Sequence, residues 1–78
     1  MTAQMIAEWA IQNGFNLHDM WTYRRNDDRG TLTIEIKRLS VVLIDERAGV
    51  RPRIVSSLFK DLFFGSPNGK LDRFLLDR

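Results

Sequence analysis

His18 is the one histidine in the chain, so any general acid–base step near neutral pH would fall to it alone. Its neighbour Asp19 is adjacent in sequence and, in a strand, points to the opposite face. A histidine without an orienting partner lacks the geometry of a catalytic base, and an exposed or hydrogen-bonded loop residue is the simpler reading. The adjacent acids Asp27-Asp28 and Asp45-Glu46 lack the ligand spacing of a calcium loop and lie in turn-like sequence, where solvation explains them. Ser40, Ser56, Ser57 and Ser66 stand in no nucleophile-elbow context, and the five glycines assemble no phosphate-cradling loop. With Cys 0 there is neither a disulfide nor a thiolate ligand. These residues predict no enzyme, no metal site and no cofactor.

Chemistry of contact is better represented. Between 24 and 53, Arg24, Arg25, Arg29, Lys37, Arg38, Arg47, Arg51 and Arg53 outnumber Asp27, Asp28, Glu35, Asp45 and Glu46. Most of these cations are arginines, whose planar fork suits phosphate and carboxylate and stacks on bases. Trp21 and Tyr23 beside Arg24 and Arg25 suggest a groove that touches phosphate and stacks an aromatic; aromatics turned to the core beneath solvated arginines are the simpler alternative. In the C-terminal third, Phe63, Phe64, Phe74, Leu75 and Leu76 supply more apolar surface than one small core needs. Phe64 and Leu76 fall off their helical stripes and, if exposed, mark a contact patch. The candidate partner-binding set is therefore Trp21, Tyr23, Arg24, Arg25, Arg29, Lys37, Arg38, Arg51, Arg53, Phe64 and Leu76.

The elements that must position these residues follow from periodicity. Met5, Ile6, Trp9 and Ala10 form a helical stripe over residues 3 to 13, with Thr2 as N-cap, Asn13-Gly14 as a left-handed stop and Phe15 just beyond. Trp21 to Arg25 is rich in β-formers, Asn26 to Gly30 is a turn cluster, and Thr31 to Lys37 alternates polar and apolar residues without error, predicting a hairpin over 17–37. Leu39 to Glu46 reads either as a strand that switches its buried face after a bulge or turn near Arg38 to Ser40, or as a helix whose Asp45-Glu46 end opposes the helix dipole; the strand is preferred. Pro52 opens a predicted second helix with Val55, Leu58, Phe59 and Leu62 on one face, running to about Phe64. Ser66 to Gly69 is a turn. Lys70 to Arg78 then predicts a short helix with Leu71, Phe74 and Leu75 aligned. The expected architecture is α+β: an N-terminal helix, an antiparallel three-stranded sheet made of hairpin 17–37 and strand 39–46, then one longer and one short C-terminal helix packed on one sheet face. The free face would carry Thr22, Arg24, Thr31, Thr33, Glu35 and Lys37.

Size and composition set the outer bounds. Seventy-eight residues predict one domain, 1–78, with a thin stability margin, since so short a chain buries only about 60 to 65 % of its unfolded surface. The 44% hydrophobic content argues for a real core and against disorder. The longest apolar run, Val41 to Ile44, is far below a bilayer span, and the first residues carry no secretory signal, so no membrane partner and a cytoplasmic location are expected. A formal net charge of +2 gives little long-range steering despite a pI near 9.5.

Two resemblances bear on function. The helix ending in Asn13-Gly14-Phe15, the hairpin around Asn26 to Gly30 and the expected helix after Arg51-Pro52 resemble the helix-sheet-helix order of HicA-type RNA-cleaving toxins and double-stranded-RNA-binding domains. The toxins' histidine-bearing strand start is absent, so that resemblance implies an RNA-binding topology without the nuclease. Thr31 to Ile36 followed by Arg51-Pro52-Arg53-Ile54-Val55 resembles dimeric ribbon-helix-helix DNA-binding repressors, which would imply pairing of two copies through that strand. Read from the residues themselves, the chain is expected to be a small non-catalytic regulatory or inhibitory protein of the phage or mobile-element type. It would dock on nucleic acid or on a protein complex that handles it, through the arginine-rich hairpin and the apolar C-terminal surface, with a homodimer as one possibility.

Overall fold

The computed structural model describes residues 2–62 and 69–76, side chains being described through residue 75. Helix α1 spans Ala3–Gln12; strands β1 Asn16–Asp19, β2 Thr22–Asp27, β3 Gly30–Ile36, β4 Ser40–Glu46 and β5 Arg53–Leu58 follow, then a 3-10 turn Phe59–Asp61 and helix α2 Lys70–Leu76. The strands form one antiparallel meander in the order β1-β2-β3-β4-β5, each paired with its neighbour in sequence.

Helix α1 starts and stops where its sequence demands. Thr2 caps it by accepting from the Met5 N–H at 3.2 Å, and Gly14, at φ 85, turns the chain so that the Phe15 N–H reaches the Ala10 carbonyl at 2.9 Å. Ile6, Trp9 and Ala10 are buried, while Met5 at the margin of the stripe stays half exposed. In the sheet, directly opposed residues share a face. Leu32, Ile34 and Ile36 of β3 therefore face the same way as Val41 and Leu43 of β4, and all are buried under α1, α2 and Phe15. Burying side chains of this size contributes about 1.5–3 kcal/mol each, enough to hold a domain with no covalent staple. Leu71 and Phe74 of α2 close the other side of the same core.

Four sequence expectations are corrected. The sheet has five strands, not three, and the expected longer helix after Pro52 is instead β5 and a 3-10 turn. Val55, Leu58, Phe59 and Leu62 do fall at helical spacing, but Ile54-Val55 is β-branched, Ser56-Ser57 favours helix weakly, and β4 offers a main-chain edge that Arg53–Leu58 satisfies over six register pairs. The first limb of the hairpin is two strands, β1 and β2, reversed at Met20-Trp21 without a glycine, proline or asparagine. Asp45-Glu46 is not a solvated turn: both residues lie in β4, and Asp45 is 3% exposed. Strand β4 itself matches the preferred reading, with the buried face switching to the odd positions Val41, Leu43 and Asp45 after the turn at 37–40.

Candidate binding surface

Register and burial separate the candidate residues into three places. Tyr23 and Arg25 lie opposite Ile34 and Leu32 and so face the helices; Tyr23 packs against the core. Arg25 is committed internally: it donates to the Asn13 carbonyl at 3.0 Å, lies 3.6 Å from Asp27, and stacks 5.5 Å from the centre of the Phe15 ring. Arg53 is committed likewise, donating to Asp45 at 3.3 Å and to the Phe74 carbonyl at 2.9 Å, with its guanidinium 4.8 Å from the Phe74 ring centre. The stacking groove expected from Trp21, Tyr23, Arg24 and Arg25 therefore does not form: its tyrosine is under the helices and one of its arginines is a structural cation. Arg24 faces the uncovered side with Thr22, Thr31, Thr33 and Glu35. Arg29 and Arg51 sit at the end of the sheet that carries the β2–β3 turn and the β4–β5 loop, whereas Lys37 and Arg38 occupy the β3–β4 turn at the opposite end. Phe64 and the side chain of Leu76 lie outside the described residues.

Among the described residues, the end holding Lys37 and Arg38 gathers the most exposed apolar surface. Met20 is 81% exposed, Leu39 70%, Trp21 46% and Leu58 45%. Main-chain hydrogen bonds stitch the three loops that bear them: Ile36 N–H to the Trp21 carbonyl at 2.8 Å, Lys37 N–H to the Ser40 carbonyl at 2.8 Å, and Phe59 N–H to the Leu39 carbonyl at 2.9 Å. Leu39, Leu58, Phe59 and Lys60 line an apolar hollow of about 410 Å³ there. Lys37 pairs loosely with Glu35 at 3.6 Å, and Arg38 and Lys60 are exposed beside it.

Trp21 holds a backbone φ of 58, the left-handed region in which a bulky side chain costs about 1–2 kcal/mol. Glycine or asparagine is the ordinary occupant of such a turn position. Sequence reasoning points to Trp21, Lys37 and Arg38 but misses Met20, Leu39 and Leu58; the available signal was an apolar residue, Leu39, placed by the expected 38–40 turn at its tip. His18 is exposed on β1 and lines a shallow polar cleft with Asn16, Arg24 and Asn26. Among the described residues no group of three His, Cys, Asp or Glu side chains could hold a metal ion, and no helix is long and apolar enough to cross a membrane. The resemblance to ribbon-helix-helix repressors does not carry over, because β3 is the middle strand, hydrogen-bonded on both sides, and is closed to a second copy. No protein-family model, curated protein or solved structure matches the chain.

Proposed function

We propose that this chain is a small non-catalytic binding protein, regulatory or inhibitory in effect, that docks on a protein partner with the tip formed by Met20-Trp21, Leu39 and Leu58. The observation that carries this reading is Trp21, a large exposed aromatic kept in a strained backbone conformation where a smaller residue would relieve the strain. Strain maintained at an exposed site points to use of the side chain it presents. Tryptophan is among the residues that dominate binding energy at interfaces, and clustered exposed apolar side chains with a charged rim are the usual anatomy of such a surface. The backbone bonds that fix the three loops lower the entropy lost on docking. Lys37, Arg38 and Lys60 on the rim favour a partner with acidic residues around an apolar pocket.

A protein partner is favoured over nucleic acid because the cations are dispersed. Arg25 and Arg53 serve the core, Arg24, Arg29 and Arg51 lie on the uncovered face and at the far end of the sheet, and of these arginines Arg38 alone shares an end with the exposed Trp21. The test is recovery of partners from lysate of the source cell, with and without nuclease, on immobilised wild type, Trp21→Gly and Arg24→Ala. The reading requires a protein retained after nuclease, lost on Trp21→Gly and kept on Arg24→Ala. Recovery abolished by nuclease, or unaffected by Trp21→Gly, overturns it.

A further inference from the structure

The two edges of the sheet are built differently. Strand β1 has four residues, a register shift between Leu17 and Asp19, and His18 and Asp19 on it, features that discourage pairing with another chain. Strand β5 has six residues in unbroken register, and beyond Arg53 it carries no charge, proline or bulge. Among the described residues its ladder is to β4 alone.

The hydrogen-bond phase of the sheet can be followed to that edge. The Lys37 N–H to Ser40 carbonyl bond makes 37·40 a hydrogen-bonded pair, so Val42 and Ile44 turn their main-chain groups to β3, while Val41, Leu43 and Asp45 turn theirs to β5. Their partners Ser57, Val55 and Arg53 complete those bonds, and the Phe59 N–H to Leu39 carbonyl bond continues the phase. Ile54, Ser56 and Leu58 thereby direct their N–H and C=O to that edge, the Leu58 carbonyl also accepting from the Ser57 hydroxyl at 3.2 Å. Their side chains lie on the uncovered face, where Ile54 is 63% and Leu58 45% exposed.

We propose that a second copy of this chain pairs antiparallel with the β5 edge on a two-fold axis at Ser56, joining two meanders into one continuous sheet. In that register Ser56 meets its own counterpart and Ile54 meets Leu58 of the other copy, each pair exchanging two main-chain hydrogen bonds and the aliphatic pairs covering each other on the same face. Shifting the axis to Val55 or Ser57 keeps the faces matched but sets Ile54 against Ser56 or Lys60. Charges agree with the Ser56 register: it brings Arg51 of each copy to the Phe59–Asp61 turn of the other, where Asp61 is exposed, and neither Arg51 nor Asp61 has an ion-pair partner among the described residues. This interface shares Leu58 and the Phe59–Asp61 turn with the docking tip, and its test, which reads self-association of the purified chain, needs no other partner.

The experiment is sedimentation velocity on the purified chain from ~1 µM to ~1 mM, since an edge-only contact smaller than a standard interface belongs in the weak range. The expected result is a shift from monomer to dimer mass for wild type, and monomer throughout for Ser56→Pro, whose lost N–H points away from β4 and whose circular dichroism should be unchanged. Wild type that stays monomeric at the highest concentration, or a folded Ser56→Pro that dimerises as tightly as wild type, overturns the proposal. Should Ser56→Pro lose its fold, the charge swap decides: Arg51→Glu and Asp61→Arg should each weaken dimerisation about tenfold, and their combination should restore it. A combination no tighter than either single variant overturns the proposal too.

Discussion

Asp45 and Arg53 stand directly opposite each other on β4 and β5, the carboxylate 3% exposed and the guanidinium 3.3 Å away. A second arginine, Arg47, reaches the same carboxylate at 3.1 Å, and Arg53 continues to the Phe74 carbonyl. One acid thus ties the fourth and fifth strands to the last helix. Removing one partner of a buried charge cluster leaves the others uncompensated, at a cost of several kcal/mol when burial is complete. The two arginines here are each about a third exposed, so water will take up part of the loss. Asp45→Ala is expected to lower stability by about 2–3 kcal/mol in urea unfolding, with loss of α2 protection in hydrogen exchange. A cost below about 0.5 kcal/mol would show that packing alone holds this corner.

Gly30 permits the β2–β3 turn to lie against β4. Its φ is 143, and an added Cβ would collide with the Glu46 carbonyl oxygen, a backbone atom that cannot swing away. Gly30→Ala should therefore cost roughly 3 kcal/mol or more, read as a lowered thermal midpoint. A midpoint within two or three degrees of wild type would contradict this geometry.

Thr33 sits on the uncovered face at 2% exposure between Arg24 and Ile44, and its hydroxyl has no hydrogen-bond partner among the described residues. Valine keeps the branched shape and the strand preference while removing the unsatisfied group. Thr33→Val is expected to raise stability by about 1 kcal/mol. A loss of stability would mean that the hydroxyl is satisfied in solution by water.

Trp21→Gly separates strain from contact. If the ring is held out for a partner, releasing the left-handed backbone offsets the little packing that the half-exposed ring provides, and stability should stay level or rise by up to about 1 kcal/mol. A fall of more than about 1 kcal/mol in chemical unfolding would instead assign the ring to the fold.

Legibility in the sequence followed how far each residue's fate was decided locally. The α1 stripe with its Thr2 and Gly14 ends was readable, as was the alternation of Leu32, Ile34 and Ile36, because each has one buried face and nearby stop residues. β5 was not: Val55, Leu58, Phe59 and Leu62 satisfy a helical period, and what decided against it was the vacant edge of β4 and the charge on Asp45, both long-range. The Met20-Trp21 reversal left no compositional trace, since the residue that adopts the left-handed turn is the one least suited to it. Arg25 and Arg53 are recognisable as internal only once Phe15, Asp27, Asp45 and Phe74 are known to surround them.

The meander has a consequence for how the chain acquires its structure. Every strand pairs with the one made just before it, so ladder formation closes only short loops and should be rapid. The covering layer is different, because its two helices flank the strand run and Leu71 and Phe74 are synthesised after every strand. During translation the finished sheet must therefore wait with half its apolar side bare, a window in which chaperones or a like chain would find it most adhesive.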